Sequence, residues 1–339
     1  MQVAELGEIN LVERLRGMAR QADESIQIGI GDDCAVIRRP DGKAWLLTTD
    51  CLVEDVHFRP AFLTMEELGA KAVAVNVSDI AAMGGTPRFA LVTLALPSST
   101  PVADVDALYR GIRRSCEHYT LSLIGGDTTR APQMLLSLVL IGEQDEDQVV
   151  ARSGASPGEA VCVTGTLGDA AFGFVLLEEG MRAEGASADV QWLLHRHVAP
   201  RPRVIIGRRI AGEGLASAMI DVSDGLATDI KHLCTASGVG ARIELARLPC
   251  SSPLKELAPT RGLDPFQVAL TGGEDYELLF TVPAEKLETL EYEARIVGPR
   301  ITRIGTTTDA TEGVVVVEPD GRARPLSEEG FNHFRTTHA

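Results

Sequence analysis

Six aspartates occupy positions that are typical of binding groups rather than of surface charges. Each lies in a glycine-rich turn, at the end of an apolar run, or on a helical stripe that is otherwise apolar: Asp33, Asp50, Asp79, Asp127, Asp221 and Asp224. Carboxylates about 4 Å apart repel by roughly 4 kcal/mol even at an effective dielectric constant near 20, so a site that collects them needs cations. Oxygen ligands, helped by the hydroxyls of Thr48 and Thr49, favour Mg²⁺ or Mn²⁺ over Zn²⁺.

Each aspartate taken singly has a second explanation as a helix cap or a turn residue. Asp79 shows the choice most clearly, because it shares one helical stripe with Leu68, Ala72 and Val75. An unpaired charge is costly in such a place. Either the helix breaks and restarts there, with Asp79 as a cap beside Ser78, or a cation holds the carboxylate. The recurrence of six such aspartates favours the cation.

The composition excludes several classes of protein. The chain of 339 residues has 32 basic and 48 acidic side chains, a net charge of −16, which argues against general affinity for nucleic acid or anionic membranes. Six cysteines without a C-x-x-C pair, and no signal-like start, predict a reduced protein of the cytoplasm. No G-x-x-x-x-G-K-[ST] motif occurs, so a P-loop nucleotide site is excluded.

The periodicities predict an α/β (α+β) fold of two domains, with polar clusters at strand ends. A polar stretch containing Ser, Gly and Pro at 144–158 indicates the boundary, giving domains 1–147 and 148–339. The main predicted helices are 8–20, 65–82, 102–119, 169–179, 190–197 and 204–211, with a further one after Gly225. The main predicted strands are 44–50, 89–96, 121–124, 134–141, 160–164, 216–222, 241–246, 278–282 and 314–317. The segment 28–33 is predicted as a turn.

Seven motifs in fixed order resemble the thiamine-monophosphate kinase family over essentially the whole chain. They are GIGDDCA at 29–35, TTD at 48–50, NVSDIAAMG at 76–84, GGDTTR at 125–130, RSGA at 152–155, DVSDGL at 221–226 and GGEDYE at 272–277. The resemblance implies the fold shared with aminoimidazole ribonucleotide synthetase and selenophosphate synthetase. In that fold an N-terminal mixed-sheet domain dimerises sheet to sheet, and a C-terminal α/β domain completes the active site. The implied reaction is Mg²⁺-assisted phosphorylation of thiamine monophosphate by ATP.

The resemblance also implies roles for individual residues. The six aspartates match magnesium ligands, assisted by Thr48 and Thr49. Asp79, Asp127 and Arg152 match the catalytic positions, with Gly126, Asp127, Arg152 and Ser223 on ATP. His57, Glu274 and Phe331 match substrate contacts, the last anchored by Gly330 and by His333 and Phe334.

The implied reaction needs no side chain as a general base, because the phosphate of thiamine monophosphate is already largely dianionic at neutral pH. Lys71 could reach a phosphate, but it is more typical of the solvated edge of its helix. His57 taken alone is more typical of an ordinary loop histidine. The alternatives are another ATP-dependent enzyme of the same fold and a non-catalytic protein that binds magnesium and nucleotide. A calcium-stabilised structural protein is disfavoured because no EF-hand-type loop occurs.

Overall fold

The computed structural model describes residues 2–19, 23–327, 330–331 and 334. Two mixed β-sheets with flanking helices form the molecule, which confirms the predicted α/β class with two domains. The first sheet ends with a strand that stops at Asp145, and the second begins with a strand at Ala160.

The N-terminal sheet has six strands in the order β1-β2-β3-β6-β4-β5. Only the β4–β5 pair is parallel, and the other neighbours are antiparallel. The strands are β1 (Ile26–Ile28), β2 (Ala35–Arg38), β3 (Lys43–Val53), β4 (Thr86–Leu96), β5 (Ser122–Arg130) and β6 (Leu135–Asp145). The helices of this half are α1 (Val3–Leu6), α2 (Glu8–Met18), α3 (Met65–Ala82) and α4 (Val102–Tyr119).

Helix α3 is the central element of the fold. It starts with a capping box in which Thr64 and Glu67 exchange side-chain and backbone hydrogen bonds, and most of its residues are buried. It packs closely on α4 because two glycines meet there: a Cβ on Gly69 would lie 2.1 Å from the carbonyl oxygen of Leu108, and one on Gly111 would lie 1.9 Å from that of Glu66. This close packing fixes the position of α3, and Ser78 and Asp79 lie in its C-terminal turns.

The C-terminal sheet has seven strands in the order β13-β12-β9-β11-β7-β10-β8, and only β12 and β9 pair in parallel. The strands are β7 (Ala160–Thr164), β8 (Ala218–Asp221), β9 (Val239–Glu244), β10 (Leu278–Val282), β11 (Ile301–Asp309), β12 (Val314–Val317) and β13 (Ala323–Pro325). The helices are α5 (Asp169–Glu178), α6 (Ala188–Val198), α7 (Val204–Gly212), α8 (Leu226–Ser237), α9 (Ser252–Leu257), α10 (Pro265–Thr271) and α11 (Leu287–Val297).

Most predicted elements lie where the sequence pattern puts them, including the helix 102–119 and the strands 160–164 and 278–282. The segment predicted as a turn at 28–33 connects two short antiparallel strands, β1 and β2, which the sequence analysis did not predict. The sequence analysis missed α9, α10 and α11. The domain boundary at 147/148 stays a prediction.

Candidate active site

Three carboxylates from distant parts of the chain form an acid cluster. One oxygen from each of Asp33, Asp79 and Asp221 lies within 4.8 Å of the other two. Asp33 and Asp221 are buried, and Asp79 is partly buried. The sequence analysis named all three as metal ligands, and the structure brings them together.

Each member of the acid cluster comes from a different kind of element. Asp33 follows Gly31 in the connection between β1 and β2, and the backbone of Gly31 has a positive φ of 120° that a glycine adopts without strain. Asp79 lies in the last turn of α3, and Asp221 is the last residue of β8. Because α3 is continuous through Asp79, the alternative that the helix breaks there and Asp79 caps the restart is wrong.

Hydroxyl and guanidinium groups orient these carboxylates. The hydroxyl of Thr48 donates to Asp79, and that of Ser78 donates to Asp221 over 2.6 Å. The guanidinium of Arg152 donates to one oxygen of Asp33, with its terminal nitrogen 2.6 Å away. The other oxygen of Asp33, Oδ2, is buried and has no hydrogen-bond partner among the described residues.

The directions of the pKa shifts indicate that Arg152 compensates the charge of this cluster only in part. Burial, followed by the charge of Asp33, raises the pKa of Asp221 to about 8. Burial, followed by repulsion from Asp50 and Asp221, raises the pKa of Asp79 far above its usual range. Burial raises the pKa of Asp33 as well, although Arg152 opposes the rise. A group that resists ionisation in this way gains most from a bound cation.

The acid cluster fits a hard divalent cation. Its ligand atoms are all oxygens, it combines three carboxylates with one arginine, and Asp33 Oδ2 lacks a hydrogen-bond donor in the part of the chain that the structure describes. Mg²⁺ and Mn²⁺ prefer such ligands, whereas the nitrogen and sulfur atoms that Zn²⁺ prefers are not members of the cluster.

Asp32 also belongs to this region, although the sequence analysis did not select it. Adjacent residues point in different directions, and Asp32 accepts the backbone N–H of Arg152 at 3.1 Å while Asp33 takes the guanidinium. Burial and the neighbouring Asp33 raise the pKa of Asp32 to about 6. Asp32 thus holds the backbone of Arg152, and Asp33 holds its side chain.

The other metal ligands predicted on β3 lie on two faces of the strand. Thr48 and Asp50 share the face toward α3, since residues two apart on a strand point the same way, and the charge of Asp50 acts on Asp79. The amide oxygen of Asn76 accepts the backbone N–H of Asp50. Thr49 has the opposite orientation, and its hydroxyl donates to the carbonyl of Leu138.

Gly126 and Asp127 lie on β5, at the exposed edge of the sheet. The register places Asp127 in one row with Thr93, Ser137 and Cys51, so that β4 and β6 separate it from β3. Three strand spacings amount to about 14 Å. Within one chain the structure therefore does not bring Asp127 to the acid cluster, and its assignment as a ligand stays a prediction. Gly126 must lack a side chain because a Cβ there would lie 1.8 Å from the carbonyl oxygen of Val92.

The DVSDGL motif at 221–226 brings together three further residues of the predicted site, Ser223, Glu274 and Phe331. The carbonyl of Ser223 accepts the backbone N–H of Glu274 at 2.7 Å, and the carbonyl of Asp224 accepts that of Phe331 at 2.9 Å. The Phe331 side chain is exposed. Gly330 and Phe334 are described, whereas His333 lies outside the described residues. Hydrogen bonds thus join the 221–226 loop to the two segments predicted to contact substrate.

Lys71 is the clearest correction to the sequence analysis. It is 1% exposed rather than solvated. Its ammonium lies 2.7 Å from Glu274 Oε1 and donates to the carbonyl of His197 at 3.1 Å. The Nδ1 atom of His197 lies 3.1 Å from the other oxygen of Glu274. Burial raises the pKa of Glu274, but Lys71 and His197 outweigh it and hold that pKa well below its usual range.

His57 is partly buried in the loop after β3. The backbone N–H of Val53 donates to its Nδ1 atom at 3.0 Å. A ring nitrogen that accepts a hydrogen bond carries no proton, so the proton of the neutral imidazole lies on Nε2.

The site is built on a known pair of domains. The family described as AIR synthase related protein, N-terminal domain, matches residues 31–144, and its C-terminal domain matches residues 156–318. Thiamine-monophosphate kinase of Bacillus subtilis is 39% identical over 92% of this chain and 94% of its own length. The chain belongs to the thiamine-monophosphate kinase family. Its Escherichia coli K12 member is 38% identical over 97% of this chain and 99% of its own length.

Solved structures of this family agree with the fold. A structure described as AaThiL complexed with AMPPCP and TMP superposes with a TM-score of 0.86 at 36% identity, covering 98% of this chain and 99% of that one. The hydrogenase maturation protein HypE in complex with ATP shares the fold, with a TM-score of 0.69 at 19% identity. The fold inferred from the seven motifs is thus confirmed.

Within the described residues, no helix is both long enough and apolar enough to cross a membrane. All six cysteines are free thiols, as the sequence predicts, and five of them are buried.

Proposed function

We propose that this chain catalyses the transfer of the γ-phosphoryl group of ATP to thiamine monophosphate, giving thiamine diphosphate and ADP. The observation that carries the proposal is the acid cluster, built by both halves of a chain whose relatives are thiamine-monophosphate kinases. The structure of a family member with AMPPCP and TMP supports the same pair of substrates.

Magnesium is the cation we propose for the acid cluster. Asp33, Asp79 and Asp221 would hold it, and Asp50, Asp127, Asp224, Thr48 and Thr49 are the further ligands that the resemblance implies. Bound Mg²⁺ would neutralise charge on the phosphates of ATP during transfer. Fixed hydroxyls at Thr48 and Ser78 keep the carboxylates of Asp79 and Asp221 oriented, so little reorganisation is needed when a cation binds.

Arg152, Ser223 and Gly126 are the residues we assign to ATP, together with Asp127. Arg152 suits this role because its guanidinium, held by Asp33, provides positive charge beside the acid cluster. The catalytic positions do not move protons: Asp79 and Asp127 would hold Mg²⁺, and Arg152 would neutralise charge on the phosphates. The acceptor attacks as its own dianion, whose second pKa lies near 6, so no side chain serves as a general base.

His57, Glu274 and Phe331 are the residues we assign to thiamine monophosphate. Phe331 offers an exposed ring beside the loop of Asp224. His57 can act only as a donor through Nε2, because Nδ1 already accepts the N–H of Val53. Glu274 offers a carboxylate that stays ionised, since Lys71 and His197 lower its pKa more than burial raises it.

A coupled assay of ADP release with a panel of phosphate acceptors tests this function. The panel contains thiamine monophosphate, free thiamine and aminoimidazole precursors, each with ATP and Mg²⁺. We expect ADP release with thiamine monophosphate and not with the other acceptors. Turnover only with another acceptor would indicate a different enzyme of the same fold, and nucleotide binding without turnover would indicate a non-catalytic protein.

A homodimer joined through the N-terminal sheets is the second part of the proposal. Strand β5 is exposed along its whole length, including the apolar side chains of Leu123 and Ile124. A second copy could bring its own Gly126 and Asp127 toward the acid cluster, whereas within one copy β5 lies about 14 Å from β3. Sedimentation at micromolar concentration tests this proposal, and a monomer would contradict it. The six free thiols support the proposal that the protein works in the cytoplasm.

A further inference from the structure

A buried triad of Lys71, His197 and Glu274 joins the two halves of the chain beside the site. Lys71 and His197 are 1% and 7% exposed, whereas the Glu274 side chain is 31% exposed. Lys71 Nζ lies 2.7 Å from one oxygen of Glu274, and His197 Nδ1 lies 3.1 Å from the other, a close contact that lacks hydrogen-bond geometry. The most exposed member of the triad is thus the carboxylate.

Helix α3 links this triad to the acid cluster. Lys71 and Ser78 are seven residues apart, so they lie on the same face of α3, about 10 Å apart along its axis. Ser78 donates to Asp221, and Lys71 contacts Glu274. One rigid helix therefore fixes the distance between the acid cluster and the Glu274 carboxylate.

The backbone of Glu274 is held as firmly as its side chain. Its φ of 65° is left-handed, a conformation that side-chain-bearing residues rarely adopt. Its N–H donates to the carbonyl of Ser223, beside Asp224. On the other side of the triad, the ring of His197 packs 5.3 Å from that of Phe174 on α5. These contacts leave Glu274 little freedom to change its direction.

We propose that Lys71 and His197 are positioning residues that hold the Glu274 carboxylate in one orientation for binding the acceptor molecule. This inference rests on the proposed function, because it takes Glu274 as a contact of thiamine monophosphate. Lys71 and His197 act through Glu274 and need not touch the substrate. Losing either residue weakens acceptor binding and leaves ATP binding and the chemical step nearly intact.

The experiment measures KM for each substrate, and kcat, in Lys71→Met, Glu274→Gln and the double variant. Hydrogen bonds to charged groups are strong enough that we expect Lys71→Met to raise KM for thiamine monophosphate about tenfold or more. KM for ATP should change less than about twofold. Because Lys71 acts through Glu274, the double variant should be no worse than Glu274→Gln alone.

Two further variants separate positioning from general loss of stability. Val73→Ala opens a cavity in α3 away from the triad, so it should lower Tm and leave both KM values unchanged. His197→Asn keeps a polar nitrogen beside the Glu274 carboxylate and should stay near the wild type, whereas His197→Leu should raise KM for thiamine monophosphate. The histidine pair tests the inference even if Lys71→Met does not fold.

The outcomes are distinct. Equal increases in both KM values, or additive effects of Lys71→Met and Glu274→Gln, would overturn the positioning role and leave the proposed function standing. Equal KM values for His197→Asn and His197→Leu would overturn it as well. A wild-type protein that binds ATP and does not turn over thiamine monophosphate would overturn the proposed function, and this inference with it.

Discussion

Two buried sites, one at the end of β8 and one at the start of β10, differ in how the charge of their carboxylates is compensated. Asp221, in the acid cluster, ends β8 and pairs in register with Leu278 of β10. Glu277, the residue before Leu278, is fully buried and forms a second group, the arginine cluster, with Arg196 and Arg203. Its oxygens accept from Arg203 Nε at 2.5 Å, from Arg196 at 3.0 Å and from the Thr164 hydroxyl at 2.6 Å.

The difference separates a structural site from a binding site. The arginine cluster brings its own cations, so nothing from solution is required there. In the acid cluster Arg152 donates to one oxygen of Asp33, and Asp33 Oδ2 has no donor among the described residues. Buried charge that the fold leaves uncompensated indicates where a ligand supplies the missing charge.

The largest expected effect on stability comes from removing the carboxylate of the arginine cluster. Glu277→Gln removes the anion between the buried guanidinium group of Arg196 and the partly buried one of Arg203, so we expect the free energy of unfolding to fall by about 3 to 5 kcal/mol. Urea unfolding of the metal-free protein measures the change. Glu213→Gln, which removes an exposed partner of Arg209, is the matched control and should have little effect. A loss below about 1 kcal/mol in Glu277→Gln would mean that the two clusters do not differ as described.

Removing a carboxylate from the acid cluster should have the opposite effect on the stability of the metal-free protein. Asp79→Asn removes a repelling charge, so the metal-free variant should be at least as stable as the wild type. Its kcat/KM should fall about a hundredfold or more, the scale seen when a preorganised charged group of an active site is removed. Asp106→Asn, on the exposed surface of α4, is the control for an aspartate without a role. Near-normal turnover of Asp79→Asn would remove Asp79 from the catalytic site.

These residues also show what a sequence can and cannot predict here. Asp33, Asp79 and Asp221 could be predicted because glycines, a helical stripe and a strand end each place a carboxylate where local structure does not need one. Lys71 could not, because its burial depends on Glu274, which is 203 positions away in the chain. A lysine on a helix is usually solvated, and periodicity gives no sign of a distant partner.

Thr49 and Asp127 mark a second limit. The TTD motif predicts both threonines as ligands, but the alternation of β3 turns Thr49 away from the face of Thr48. Asp127 has the right motif and lies on a strand at the far edge of the sheet. Sequence order cannot tell whether a second copy of the chain returns that edge to the site.

The pH dependence of stability gives a smaller, signed test. The pKa of Asp221 rises from about 3.8 to about 8 in the folded protein, and that of Asp32 rises to about 6. The folded state therefore binds more protons than the unfolded state between these values, and stability falls as pH rises from about 4 to 8. Tm of the metal-free protein should decline over this range, and saturating Mg²⁺ should reduce the decline. A metal-free Tm that increases steadily with pH would contradict the assigned burial of these carboxyls.

The smallest effect concerns His57. If the acceptor phosphate attacks as its own dianion, kcat/KM should rise with an apparent pKa near 6 that belongs to the substrate. His57→Asn should raise KM for thiamine monophosphate several-fold, as loss of one hydrogen bond of about 1 kcal/mol would, and leave the acid limb unchanged. Kinetics from pH 5 to 8 with both proteins measure this. Disappearance of the acid limb in the variant would make His57 the proton acceptor.

Direct binding of Mg²⁺ to the metal-free protein tests the central claim, that the acid cluster depends on a cation from solution. Titration calorimetry and Tm at increasing Mg²⁺ would be compared for the wild type, Asp79→Asn and Asp106→Asn. A ligand that binds the folded state raises Tm in proportion to the logarithm of its concentration above Kd. We expect Mg²⁺ to bind and stabilise the wild type and Asp106→Asn, and to do so much less in Asp79→Asn. Equal binding and equal stabilisation in all three proteins would show that the cation binds elsewhere and would contradict the account.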